Sequence, residues 1–424
     1  MSRGRVYVWN PDPQTVLGGS LQLQEVELLG LPAGTSRLDG ANVWVRNDGS
    51  VNQRGVYFQV PRVAWIDNAK PDANGDFLFD PGRGGGRLDK SEDPAPRFMA
   101  RYVSASHFGE VNAYYHVDRA ARWAANLLAG LGGASLPRVG VVVNAHDAQR
   151  CFGGACDGVQ GTRRWLPFQG GHYRLSQRRY GPIEHKPICA DGEIHVGPGW
   201  RVLSHGALVE LAGRRYRANA AHNAGILYHE YGHHLTRHTA DFQGNQFRLP
   251  ERQSNVKCAI DEGFADYIAA ALLETPNIWA LHQQHDAEAC HERSLAFARS
   301  MNDYDDSAQA DPHANGSIWA SALWLLRRRV EACGFHASVC DRLVLESLLW
   351  IGSLWGGAPK RDLRDLWNSS RAFSVGLSAL LAAERRLYDG ALRPLIATTF
   401  AERKLAADNH SVRAWRRQYL ELCG

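Results

Sequence analysis

The residues with the clearest chemistry are His229-Glu230-Tyr231-Gly232-His233, inside NAGILYHEYGHHLTRH at 223–238. The pattern is H-E-x-x-H. On a helix, positions i and i+4 share a face, so both imidazoles reach one ion. Neutral imidazole is a good zinc ligand. Glu230 follows the first His directly, which puts its carboxylate beside the ion without ligating it, where a base for an activated water belongs. Ile226, Leu227 and Tyr228 are expected to anchor that helix in a core.

A catalytic zinc needs a third protein ligand and an open fourth position. CAIDEGFADYIAAALLE, 258–274, offers Glu262 and Asp266, again at i and i+4. One can bind the ion while the other takes the free N–H of a ligating His and fixes its tautomer. A charged pair in an otherwise apolar stretch needs a partner, and a metal supplies one. The third signal is DPHANGSIW, 311–319, where His313 stands just before a helix with an apolar face. A donor or cation there could stabilise a developing oxyanion.

These elements need a frame. With 424 residues, the chain is long enough for two lobes or three small units. It is 44% hydrophobic with 13 Trp, which excludes intrinsic disorder. No run of about 18 apolar residues suggests a membrane span. A formal net charge of +4 gives no basic field of the kind that binds nucleic acid. P-loop, G-x-S-x-G and dinucleotide fingerprints are absent. Residues 1–90 read as strands and turns, with clusters at Val6–Trp9, Val43–Val45 and Val56–Val60. A Gly-, Pro- and charge-rich stretch at 80–96 reads as a linker. A helix is expected over 110–132, a buried strand over 139–143, and strands and loops over 150–215. From about 217 the pattern is helical, at 219–238, 259–274, 315–332, 341–356 and 376–388. The class is α+β, with segregated strands and helices. The regions are 1–90, β-rich and of unknown role; 91–240, ending in the H-E-x-x-H helix; and 241–424, helical and carrying Glu262.

HEYGHH, EGFADYIA and HANGSIWASALW, in this order, resemble the gluzincin metallopeptidases, thermolysin-like and especially fungalysin-like. EVNAYYHVDRA at 110–120 looks like an N-terminal element of bacterial relatives, and FAERK at 400–404 resembles a late helix. The resemblance implies a zincin-like fold, with a β-rich N-terminal lobe, a mainly helical C-terminal lobe and the active-site cleft between them. It implies a zinc endopeptidase acting on proteins or peptides. His229, His233 and Glu262 would be the zinc ligands and Glu230 the general base. Asp266 would orient His229, and His313 would stabilise the transition state. The spacing from His233 to Glu262 is longer than in thermolysin, which places an inserted loop around 239–256. Residues 189–197 are the candidate for the family's substrate-edge Asn-Ala motif. No inhibitory propeptide is visible, and the first 90 residues carry no motif of the family.

Two rivals share these residues. One is a zincin fold kept as a binding or structural module; a purely structural site would have no need of Glu230. The other is a zinc aminopeptidase, which needs acidic groups for the substrate amine, and no G-x-M-E-N-type run is present.

Weaker signals complete the reading. Asp72, Asn74 and Asp76 place oxygen donors at alternating positions, like the start of a calcium loop, though the distal Glu of an EF-hand is missing. A plain Asx-rich turn is the competing assignment. The eight Cys, at 151, 156, 189, 258, 290, 333, 340 and 423, form an even count that suits disulfides and a secreted or periplasmic protein. CFGGAC and CGFHASVC are the short candidate loops, and buried free thiols are the competing assignment. MSRGRVYVWN is not a signal peptide. His172, His185, His195, His222, His234 and His238 are expected at the surface or in the core; His234 points about 100° away from the ligand pair. Trp319 and Trp324, at helical spacing, are expected in the core.

Overall fold

The computed structural model describes residues 1–11, 19–47, 67–81, 95–150, 163–167, 170–175, 191–197, 201–204, 207–210, 219–249, 252–278, 293–355 and 363–407. Of the eight Cys, 151, 156, 189, 290 and 423 lie outside them, as do His185 and the 56–60 cluster.

Strands come first. β1 (Arg3–Pro11) pairs antiparallel with β2 (Gly19–Glu27). β3 (Val43–Asn47), β4 (Val139–Val143), β7 (Gly171–Arg174) and β8 (Glu193–Val196) form a mixed sheet in the order β3-β4-β8-β7. The first two pairings are parallel and the last is antiparallel. β5 (His146–Arg150) pairs with β6 (Arg163–Pro167), and β9 (Arg201–Ser204) with β10 (Ala207–Glu210), each antiparallel. Helices follow: α1 (Ala95–Ala129), α2 (Ala224–Thr239), α3 (Ala259–Leu273), α4 (Pro312–Ala332), α5 (Ser338–Ser353), α6 (Arg364–Trp367), α7 (Arg371–Tyr388) and α8 (Arg393–Glu402).

This is the mixed helix and sheet expected of an α+β chain. Two details differ from the sequence reading. α1 begins at Ala95, fifteen residues before the expected start and inside the expected linker, with Pro96 among its first residues, where a missing N–H costs no hydrogen bond. Because α1 stands between the parallel strands β3 and β4, one crossover unit sits inside the otherwise segregated pattern.

Contacts divide the chain into two units. One holds Met1–Ala121 and Pro137–Tyr231; the other holds Arg122–Leu136, Gly232–Ile278 and the described residues after 292. β1 and β3 therefore share a unit with most of α1.

In the first unit α1 acts as a polar staple. Glu110, Asn112, Tyr114, His116 and Asp118 are part of the EVNAYYHVD stretch, and all are buried. Each is hydrogen-bonded, as buried polar groups must be. Glu110 accepts from Asn47 Nδ2 at 2.8 Å and from Ala69 N at 2.8 Å. Asn112 accepts from Tyr7 N and donates to Ala221 O, just ahead of α2. Tyr114 donates to Leu29 O, and Asp118 accepts from Asn42 Nδ2. The helix thus binds β1, β3 and the approach to α2 to one another.

The second unit has an aromatic core. Trp319 on α4 is fully buried among Phe264, Phe373 and Phe400, with ring centroids 5.5, 6.0 and 5.3 Å away. Trp324 is also buried, its ring beneath the Arg327 guanidinium. Both Trp are core residues, as their spacing implied.

Two sequence expectations are corrected by the fold. The Asp72–Asp76 stretch is an Asx turn and carries no support for calcium. Asp72 Oδ1 accepts from Asn74 N at 2.8 Å and Asp76 N at 3.0 Å. Asp76 accepts from the backbone N, Nε and Nη2 of Arg3. Asp72 Oδ1 and both Asp76 oxygens are committed to backbone N–H groups and to a guanidinium, and hydrogen bonds from Arg3 hold the Asp76 carboxyl below its usual range. The second correction concerns disulfides. Cys258, Cys333 and Cys340 are free thiols, so CGFHASVC closes no bridge. Cys333 is exposed, whereas Cys340 is buried and burial pushes its thiol up to about 12. Cys258 is likewise buried and raised. Such thiols pack as small apolar groups.

Candidate metal centre

α2 begins with a cap. Asn223 Oδ1 accepts from Gly225 N at 2.9 Å, which satisfies one of the orphan donors of the first turn. Ile226, Leu227 and Tyr228 are buried, as expected of an anchored helix. Tyr228 also bonds His116 Nδ1 at 2.7 Å, while His116 Nε2 faces the Tyr7 carbonyl at 2.8 Å. A carbonyl only accepts, so Nε2 carries the proton and Nδ1 accepts the Tyr228 hydroxyl. Burial holds this imidazole neutral, with its pKa lowered to about 3.

The ligand candidates begin at the next residue of α2 after Tyr228. Donor atoms of His229, His233 and Glu262 all lie within 4.8 Å of one another, and all three residues are buried. Small residues make this approach possible. A Cβ at Gly232 would stand 2.7 Å from Ala265 Cα, so only glycine lets α2 pass this close to α3. A Cβ at Gly263 would meet Gly316 O at 2.6 Å, and one at Gly316 would meet Ala259 O at 2.6 Å. α3 and α4 therefore cross backbone to backbone at the level of Glu262.

The carboxylates around His233 define the electrostatics. Its Nδ1 is 3.2 Å from Asp261 Oδ2, and its Nε2 is 3.5 Å from Glu262 Oε2. Asp261 is itself fixed by Thr236 Oγ1, which donates to Oδ1 at 2.6 Å. Burial opposes a charged imidazole, yet Asp261 and then Glu262 outweigh it and push the His233 pKa up to about 10. The pocket attracts positive charge. Two imidazoles and one carboxylate are a donor set suited to zinc, so these residues fit such an ion.

Glu230 is buried, and its Oε2 has no hydrogen-bond partner among the described residues. A Cβ at Gly171 would lie 2.9 Å from Glu230 Cγ, so β7 passes directly beside it. β7 is an edge of its sheet among the described strands, whereas β8, which contains part of 189–197, is interior. The described part of the 189–197 candidate thus lies on an interior strand, between β4 and β7.

His313 is brought to the same centre. Its Nε2 lies 3.2 Å from Glu262 Oε2 and 3.4 Å from Lys257 Nζ. Its Nδ1 bonds Asp311 Oδ1 at 2.8 Å. Asp311 also caps α4, accepting from His313 N, with Pro312 at the first helical position. The hydrogen bond from His313 holds the Asp311 carboxyl down at about 2. Asp266 is fully buried, and its Oδ1 takes Arg293 Nη2.

Sequence reasoning assigned no role to Asp261, Asp311, Lys257 or Arg293. Asp261 and Asp311 stand one and two residues before a named site residue, and that adjacency was the available signal. The remaining His that are described follow expectation. His172, His195, His222 and His234 are buried, and the rings of His234 and His238 meet at 4.7 Å.

The fungalysin metallopeptidase (M36) family profile matches residues 3–409. The chain belongs to the fungalysin metallopeptidase family. It is thus a peptidase, and the family implies a metal, typically zinc, for which His229, His233 and Glu262 are the candidate site. The match starts at residue 3, so it takes in the first 90 residues, where no family motif was visible. Proteins of this fungalysin family are typically secreted. Among the described residues, no helix is long and apolar enough to cross a membrane. No curated protein matches the chain.

Proposed function

We propose that this fungalysin-family protein is a zinc endopeptidase with His229, His233 and Glu262 as metal ligands. The carrying observation is the convergence of those three buried donors beside Glu230. Zinc bound there would supply a Lewis acid that acidifies a water molecule and polarises the scissile carbonyl. Glu230 takes the proton from the attacking water and delivers it to the leaving amine. Its position suits this role, since one carboxylate oxygen is buried with no described donor on it. His313, oriented by Asp311 through Nδ1, presents Nε2 to the oxyanion. Asp261 fixes the tautomer of His233, and the resemblance to the family implies the same task for Asp266 on His229.

The endopeptidase assignment follows from the likeness of HEYGHH, EGFADYIA and HANGSIWASALW to the fungalysin family. Gly171 of β7 passes directly beside Glu230. Export follows from the habit of the family, not from the cysteines.

The test combines metal content with hydrolysis of an internally quenched peptide whose two ends are blocked. Wild type is expected to hold one zinc and cleave. Glu230→Gln is expected to hold zinc and lose roughly 10²–10⁴-fold in turnover. Zinc in both with cleavage in neither would make the chain a binding module. Cleavage only of unblocked peptides would make it an exopeptidase.

A further inference from the structure

Each ligand candidate has a second donor atom that something must control. For His233 that atom is Nδ1, held by Asp261. For Glu262 it is one of two equivalent oxygens. Glu262 is fully buried, and the two oxygens face different partners. Oε2 faces imidazole nitrogens, 3.5 Å from His233 Nε2 and 3.2 Å from His313 Nε2. Oε1 lies 3.1 Å from the ammonium of Lys257.

We propose that Lys257 is a positioning residue: it holds Oε1 of Glu262 and leaves Oε2 as the single oxygen offered to the metal. This rests on the zinc-site reading above. The chemistry is one of coordination number. A carboxylate can bind an ion through one oxygen or through both. A three-ligand zinc site stays catalytic only while its fourth position is open to water or substrate. If both oxygens of Glu262 bound, the ion would gain a donor and that opening would be lost. An ammonium on Oε1 makes the second mode unfavourable, because Lys has three donors and no acceptor with which to replace the carboxylate on the ion.

The backbone supports the arrangement. Lys257 immediately precedes Cys258, the residue that caps α3, so its stem leaves from the start of the helix that carries Glu262. α3 is held against α4 at Gly263 and Gly316, which fixes Glu262 relative to His313. Lys257 Nζ is also 3.4 Å from His313 Nε2, so one side chain touches both the ligand carboxylate and the proposed oxyanion donor. The Lys257 side chain is 33% exposed. Its repulsion of a dication is therefore screened by water and weaker than a buried pair would suggest.

The experiment uses the full chain with Lys257→Met, Lys257→Gln and Lys257→Arg. Zinc affinity is read by competition with a chromophoric chelator, and coordination by the visible d–d absorption of the cobalt(II)-substituted protein. Both readouts are independent of turnover. Wild type and Lys257→Arg are expected to give the intense band of four-coordinate cobalt. Lys257→Met and Lys257→Gln are expected to give the weaker band of a higher coordination number, with zinc affinity down by roughly 10-fold. Unchanged spectrum and affinity in both uncharged variants would overturn the proposal and leave Lys257 a rim residue. Tighter zinc binding with an unchanged spectrum would overturn it too, making Lys257 a competing counter-ion. A wild type that takes up neither zinc nor cobalt would remove the zinc-site reading itself, a result distinct from either of these.

Discussion

His116 and His233 are both buried, at 1% and 5% exposure, and both lie close to the same stretch of α2 in sequence or by contact. His116 meets a carbonyl and a hydroxyl, and burial lowers its pKa to about 3. His233 is opposed by burial as well, but two carboxylates push its pKa up to about 10. The same side chain is thus a neutral strut in one region and the centre of a candidate cation site in the other. Burial does not separate the two roles; the charge of the neighbours does. A His among uncharged partners braces a helix. A His ringed by carboxylates marks a place where an ion belongs.

The largest effect should come from exchanging the two residues for neutral amides. His233→Asn is expected to abolish zinc retention and turnover while the chain still folds. His116→Asn is expected to keep zinc and to lose stability. If His116→Asn lost the metal outright and His233→Asn kept it, as read by metal analysis after gel filtration, the comparison would collapse.

A second effect concerns acid. The folded pKa of His116 lies below the unfolded value of about 6.5, so the unfolded chain binds the proton first. Stability contributed by neutral His116 is present above about pH 6.5 and is lost as pH falls towards 3, by roughly 1 kcal/mol per pH unit. Denaturant melts between pH 7 and 4 should show this slope, and His116→Asn should flatten it. An equal slope in the variant would show that other groups dominate.

The smallest effect sharpens the site side of the comparison. Asp261→Asn removes the charge beside His233 Nδ1 but keeps an acceptor. Zinc affinity should fall by about 10-fold, with the cobalt spectrum unchanged. A loss as large as that of His233→Asn would mean that Asp261 is itself a ligand.

Much of the site was legible in the sequence because helices impose local rules. H-E-x-x-H puts His229 and His233 on one face whatever else the chain does. The helices near 259–274 and 315–332 follow from periodicity, and they appear as Ala259–Leu273 and Pro312–Ala332. α1 was read by its apolar spacing, yet the polar residues of EVNAYYHVD bind it to its surroundings. Periodicity shows which positions are apolar; it cannot show that a buried Asn112 will find Tyr7 N more than a hundred residues away.

Tertiary structure alone decided which charge meets which. The Asp72–Asp76 stretch looked like a cation loop, but the cation is Arg3, supplied from the far end of β1. Cys333 and Cys340 looked like a bridge, but one thiol is exposed and the other is in the core. Lys257, Asp261 and Asp311 meet the candidate site only because α2, α3 and α4 pack around Gly232, Gly263 and Gly316. The ligand types and the helical phase that aims them are properties of local sequence. The field that makes them a candidate metal centre is a sum over neighbours distant in the chain, and only the fold fixes those distances.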